Sequence, residues 1–238
     1  MGKRRQVAYR HPLQHGPRIG PVELLDRRMP SRQFLAIASL VLLGLVTSYL
    51  LRSARPLGRD VGASSVAAQV LADNASPRLE LGKASLTVVM FTDYGCPACR
   101  QADPALRSAV ARDGNIRLVY KDWPIFGERS EQAARVALAA HYQGIYPAFH
   151  HRLMSSPRLN DEALRQHVER AGGNWEQLEA DLLARRSAIE SQLAANERDA
   201  FALGLQGTPG YLIGSVLIQG AHSEGEFLRA FKQARGKG

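Results

Sequence analysis

The order of hydrophobic patterns along this chain predicts an α/β domain interrupted by an inserted all-helical block and preceded by a single transmembrane helix. Three observations carry that expectation. Between Leu86 and Tyr120 a strand-length apolar run, a helical pattern and a second alternating run follow one another. From about residue 128 to 203 the pattern stays helical, after which two short strand-like runs flank Gly214-Ser215. Near the N terminus the 18 residues from Phe34 to Leu51 carry no charge.

At 1.5 Å per residue, such a stretch reaches about 27 Å, close to the thickness of a bilayer core. It is preceded by 33 residues and followed by Arg52-Ser53-Ala54-Arg55, whereas a secretory signal has a brief basic lead and a small-residue cleavage site. An uncleaved anchor at 34–51 is therefore expected. The tail over 1–33 holds eight Lys/Arg against three just after the helix, which places the tail in the cytoplasm, although the nearest 15 residues on each side balance at three and three. Up to Arg59 there are 11 basic and 2 acidic residues, and the remainder has 20 of each. The net charge of +9 thus belongs to the tail, and the neutral globular part gives no reason to expect a nucleic-acid partner. Residues 52–77, rich in Ala, Ser and Gly, read as a linker, and the folded domain is expected over 78–238.

Leu86 to Phe91 is β-branched and apolar, and Tyr94-Gly95 end it. From Pro97 to Arg112, Ala102, Ala105, Leu106, Ala109 and Val110 recur at helical spacing until Gly114-Asn115. Ile116 to Tyr120 alternates as a strand, and two strands joined through a helix form a right-handed parallel unit. Within the helical block, Ala133, Val136, Ala137 and Ala140 mark one apolar face. Asn160 is placed to cap a helix over 161–171, and Asn174 with Gln177 resembles a capping box. Gly214-Ser215 suits a two-residue hairpin with glycine first. Ser223 caps a last helix over 224–234.

The chemistry concentrates at Cys96-Pro97-Ala98-Cys99, which holds the only two cysteines of the chain. Three residues apart at the start of a helix, they stand one turn above each other. The unpaired N–H groups and positive dipole end of that first turn stabilise a thiolate on Cys96, and an unshifted thiol would be only about 3% ionised at pH 7. Cys96 is the expected nucleophile and Cys99, more covered, the resolving thiol. Pro97 fits an early helical position. A purely structural bridge is disfavoured, since a loop of about four residues restricts the unfolded chain by only about 2 kcal/mol. A metal site would need a second ligand pair, and none is evident. His141, His150 and His151 read as core or surface histidines, Trp123-Pro124 and Trp175 as packing residues, and Lys121 and Asp122 as solvated strand ends. Asp93 is a candidate proton relay, with a solvated strand end as the alternative.

Phe91 to Cys99, followed far downstream by Gly207-Thr208-Pro209-Gly210 and with Gln143-Gly144 and Ala148-Phe149-His150 between, resembles the DsbA family of thiol-disulfide oxidoreductases, most of all its membrane-anchored bacterial members. The resemblance implies a thioredoxin-like fold with the helical block inserted, catalytic Cys96 and Cys99 supported by Pro97 and Ala98, and a cis Pro209 beside Cys96, with Thr208 offering backbone groups to a substrate peptide. It further implies no cofactor or metal, a monomer anchored once in the bacterial inner membrane with its domain in the periplasm, thiol-containing exported proteins as substrates, and a membrane redox partner that restores the disulfide. Oxidation is the expected direction. The alternatives are a reductase or isomerase using the same residues, and a membrane-tethered Cu(I)-binding protein, since soft thiolates suit that ion. Two departures bear on the direction: Ala98 stands where strongly oxidising relatives have histidine, and Met90 where many thioredoxin-like proteins carry a buried acid.

Overall fold

The computed structural model describes residues 31–54 and 56–236. The basic tail expected over 1–33 lies outside them apart from its last three residues. Two compact units divide the chain, residues 1–55 and 56–238.

In the first, α1 (Ser31–Ala54) is a 24-residue helix. Its described side chains include Phe34, Leu35, Ile37, Leu40, Leu42, Leu43 and Leu45, all more than half exposed. Among the described residues no helix is long and apolar enough to cross a membrane; those side chains cover only part of Phe34 to Leu51, because 49–51 are not among them.

The second unit is built on a six-stranded sheet in the order β1-β6-β5-β3-β4-β2. Its centre is the predicted parallel pair, β3 (Leu86–Thr92) and β4 (Ile116–Asp122), joined through α3 (Pro97–Asp113). The hairpin β5 (Gly210–Ile213) and β6 (Val216–Gln219) adds antiparallel beside β3, turning at Gly214, whose φ of 52° suits glycine. The central strands read as continuous apolar runs because both faces of the sheet are covered. Val88, Met90, Leu118 and Tyr120 join the core with α3, α9 (Glu224–Arg235) and the inserted helices. Val89, Phe91, Val119 and Leu212 form a second core on the opposite face.

What covers that opposite face corrects the boundary drawn for the linker. β1 (Arg59–Asp60) pairs with β6, and α2 (Ser65–Leu71), capped by Ser64, buries Ala67 and Val70 in the second core. β2 (Arg78–Glu80) then pairs with β4. Residues 59–71 escape the sequence pattern because a two-residue strand and a seven-residue helix, burying two small or medium side chains, give too little periodicity. Burial is supplied by the sheet, not by the segment.

The inserted block comprises α4 (Glu128–Tyr142), α5 (Tyr146–Met154), α6 (Asp161–Arg170), α7 (Trp175–Ala184) and α8 (Arg186–Ala202). Asn160 caps α6 as expected. At α7 only half a capping box forms: Asn174 accepts from the Gln177 N–H at 2.9 Å, while the Gln177 side chain donates to Asp181. The reciprocal box lies at α9, between Ser223 and Glu226.

Candidate active site

Cys96 is the N-cap of α3, with φ −78° and ψ 118°, and its sulfur accepts from the Cys99 N–H at 3.4 Å. This is the local consequence of the sequence order: the strand ends at Thr92, Asp93-Tyr94-Gly95 turn the chain, and Pro97 opens the helix with no N–H to leave unpaired. As a thiol, Cys96 Sγ donates to the carbonyl oxygen of Thr208 at 3.4 Å, so the segment before β5 is brought against the cysteine pair from 112 residues away. The Thr208–Pro209 peptide bond is cis. Both cysteines are unpaired thiols, each 2% exposed, so the expected difference in their cover is absent from exposed area.

The difference lies in ionisation. The Cys99 thiol hydrogen-bonds the Cys96 sulfur and, helped by the first N–H groups of α3, draws Cys96 down to about 6 against the cost of burial. Burial and the neighbouring Cys96 push Cys99 far above the ordinary thiol range. At neutral pH Cys96 is therefore a thiolate and Cys99 a protonated donor to it.

Asp93, the candidate proton relay, is buried. It is 1% exposed, so it is not a solvated strand end. Its Oδ1 accepts from Gly95 N–H at 2.5 Å, and its Oδ2 from Ile125 and Phe126 N–H at 2.6 and 2.9 Å. Three donors engage both oxygens, so the carboxylate brackets the cysteine loop to residues 125–126. The bracket leaves Ile125 and Phe126 exposed at 43% and 53%. Lys121 and Asp122 also depart from expectation, each being 1% exposed. Lys121 Nζ pairs with Asp73 at 2.5 Å and Asp199 at 2.9 Å, joining the N-terminal segment to α8. Asp122 belongs to a buried polar group with Tyr94, Tyr146 and His150. Sequence reasoning missed this group because its members lie on a loop, a strand and an inserted helix; the signal was the crowding of Tyr146 and His150 one turn apart on an otherwise apolar face.

Arg100 is a further residue missed: its guanidinium donates to the carbonyl of Tyr94 and, at 3.5 Å, to those of Gly95 and Ser156. Trp123 packs in the second core, its ring centroid 5.2 Å from that of Phe201. Among the described residues no group of three or more His, Cys, Asp or Glu side chains could hold a metal ion.

A thiolate-bearing helix N-cap, a buried partner thiol and a cis-proline segment against them, on a mixed sheet with an inserted helical block, define a protein-disulfide oxidoreductase of thioredoxin fold. The match of residues 87–232 to the DSBA-like thioredoxin domain shows that the chain belongs to that family. It is similar to the crystal structure of a thioredoxin-like oxidoreductase from Silicibacter pomeroyi, at 37% identity and a TM-score of 0.66 over 70% of this chain and 96% of that one. It also resembles the thiol-disulfide exchange protein alpha-DsbA2 from Wolbachia pipientis, at 26% identity and a TM-score of 0.66 over 71% and 94%. A curated relative is a Na(+)/H(+) antiporter, NhaA 1, of Salinispora arenicola, 28% identical over 144 residues, which are 59% of this chain and 22% of that protein's length. The chain thus spans a quarter or less of the length of the curated relatives it matches. The proteins of its family act on thiol-containing substrates.

Proposed function

We propose that this chain is an oxidant of exported protein thiols, acting through Cys96 and Cys99 as a membrane-tethered monomer in the periplasm. The observation that carries the direction is the opposed ionisation of the pair, Cys96 drawn down to about 6 and Cys99 pushed up. In the oxidised form a substrate thiolate attacks Cys96 Sγ; the Cys96–Cys99 bond breaks and Cys99 leaves with the electron pair, taking up a proton. A second substrate thiolate then attacks the substrate sulfur of the mixed disulfide, and Cys96 leaves as a thiolate. The substrate loses two electrons and the motif gains them. A low-pKa thiol leaves fast, so the second step favours release of oxidised substrate. Reduction of substrates requires the opposite, that buried Cys99 first lose its proton. A membrane redox partner would restore the disulfide by accepting those two electrons.

Support for the anchor is the uncharged stretch Phe34 to Leu51, together with apolar side chains exposed around α1. The direction is tested by equilibrating Cys96/Cys99 with glutathione. A potential above about −200 mV is expected, and one near about −270 mV would make the chain a reductant. Tight stoichiometric binding of Cu(I) by the reduced protein, with no oxidation of a dithiol peptide, would favour a metal carrier instead.

A further inference from the structure

We propose that Tyr94, Tyr146, His150 and Asp122 form a proton-sharing chain, closed to solvent, that ties the active-site loop to the inserted helices and acts as a positioning unit for Cys96. The sharing rests on the three contacts with a proton on His150 Nε2; the positioning role rests on the thiol chemistry proposed above.

The chain has three contacts. His150 Nδ1 lies 3.0 Å from Tyr94 Oη, Tyr94 Oη 3.2 Å from Tyr146 Oη, and Tyr146 Oη 2.9 Å from Asp122 Oδ1. All four residues are at most 1% exposed. Three hydrogen bonds need three protons, and the two hydroxyls supply two. The third must sit on one end. His150 Nε2, buried without a hydrogen-bond partner, stands 3.5 Å from Asp103 Oδ1, an ion-pair separation; with one proton on Nε2 toward that carboxylate, a second on Nδ1 makes the ring an imidazolium.

With Nε2 protonated, two arrangements satisfy every contact. In one, His150 Nδ1–H donates to Tyr94, Tyr94 to Tyr146, and Tyr146 to an ionised Asp122. In the other, a protonated Asp122 donates to Tyr146, Tyr146 to Tyr94, and Tyr94 to neutral His150. One proton distinguishes them, and moving it reverses all three bonds without changing the net charge. Loss of that proton leaves one of the three contacts with no hydrogen between its two acceptor atoms, away from water.

The surroundings balance the two ends. Asp103 faces the ring, Arg107 Nε donates to Asp103 Oδ2 at 3.0 Å, and His151 lies next in sequence. His141 faces Tyr146, with ring centroids 6.5 Å apart, and Tyr120 packs on His150 at 4.9 Å. At the far end, burial pushes Asp122 up to about 6, with His150 and the tyrosine hydroxyls acting against it and Asp93 with it. Tyr94 joins the chain to the site, being two residues before Cys96, with its carbonyl held by Arg100.

The test is a pH titration of the full chain in detergent micelles, with 15N-histidine and 13C-aspartate labels read by NMR. In the native protein the His150 ring and the Asp122 carboxyl should each move at the same two midpoints, as coupled sites do. In Tyr146→Phe, which removes one hydroxyl and leaves the charges in place, each should move at a single midpoint of its own, and the Cys96 thiolate midpoint should shift by at least about 0.5 pH unit. Independent midpoints in the native protein, or an unchanged pattern in Tyr146→Phe, overturn the sharing. A Cys96 midpoint unmoved in Tyr146→Phe overturns the positioning role. If the chain fails to exchange disulfides while the midpoints still coincide, the proposed function falls and the proton chain stands.

Discussion

Asp93 Oδ2 accepts the backbone N–H of Phe126 at 2.9 Å, so a carboxylate three residues before the attacking cysteine holds the start of the helical insertion. The same carboxylate also holds Ile125 and Gly95. Asp93→Ala would leave three N–H groups without their acceptor. Where each stays dry, the loss is about 1–3 kcal/mol per group, so the variant should unfold at least ~2 kcal/mol more easily in urea and exchange disulfides more slowly. Asp93→Asn keeps one acceptor oxygen and should fall between. Equal midpoints for Asp93→Ala and the parent would rule out the bracket.

Gly95 is required for lack of space. A Cβ there would stand 2.2 Å from Ser130 Oγ and 2.9 Å from Phe126 Cβ. Gly95→Ala should destabilise by about 1–3 kcal/mol, the usual cost of overpacking. Ser130 Oγ is buried without a hydrogen-bond partner, so Ser130→Gly in the Gly95→Ala background should recover part of that loss. Thermal unfolding of the two variants decides it, and a double variant no better than the single one would place the strain elsewhere.

The legible parts of this chain are those in which local sequence and tertiary role coincide. β3, α3 and β4 declare themselves because each is long, periodic and punctuated, and Cys96 because its neighbours state both the strand's end and the helix's start. Lys121 and Asp122 were illegible for the opposite reason. A lysine and an aspartate at a strand end are ordinarily solvated, and only the positions of Asp73, Asp199, Tyr146 and His150, distant in sequence, give them buried partners. α2 was hidden because its helix is stabilised by the sheet face it covers, not by its own pattern.

Lys121 gives a stability prediction with a pH sign. Although burial opposes it, the hydrogen bonds from Lys121 and Ser76 hold the Asp73 carboxyl well below the usual carboxylate range. A depressed carboxylate contributes stability that is present above its unfolded value near 4 and lost as pH falls. Lys121→Met removes the cation and leaves Asp73 and Asp199 facing each other, which should cost about 3–5 kcal/mol at pH 7. The gap between variant and parent should narrow below about pH 4, where Asp73 in the variant is protonated. A gap constant from pH 3 to 7 in urea titrations would show that the ion pairs are not its source.

The last prediction separates the two redox forms of one protein. Reduced chain carries Cys96 at about 6, below the unfolded thiol, so between about pH 6 and 8.5 the unfolded state binds more protons and reduced-form stability must rise with pH. Cys99, shifted upward, contributes stability already complete below the unfolded thiol value and does not change it in this window. Asp122, shifted up to about 6 by burial, loses its contribution as pH rises from about 4 to 6, and acts in the oxidised form as well. The stability of reduced over oxidised chain should therefore grow by about 1 kcal/mol between pH 6 and 7, one unit above the Cys96 midpoint. Ala98→His adds an imidazole beside that thiolate and should enlarge the effect. Each unit by which it lowers the Cys96 midpoint favours the thiolate by about 1.4 kcal/mol, which is about 30 mV of more oxidising potential for a two-electron couple. Thiolate absorbance against pH, measured beside the glutathione equilibrium for both proteins, checks the two quantities independently. If the midpoint falls and the potential stays, thiolate stabilisation is not what sets the direction of exchange.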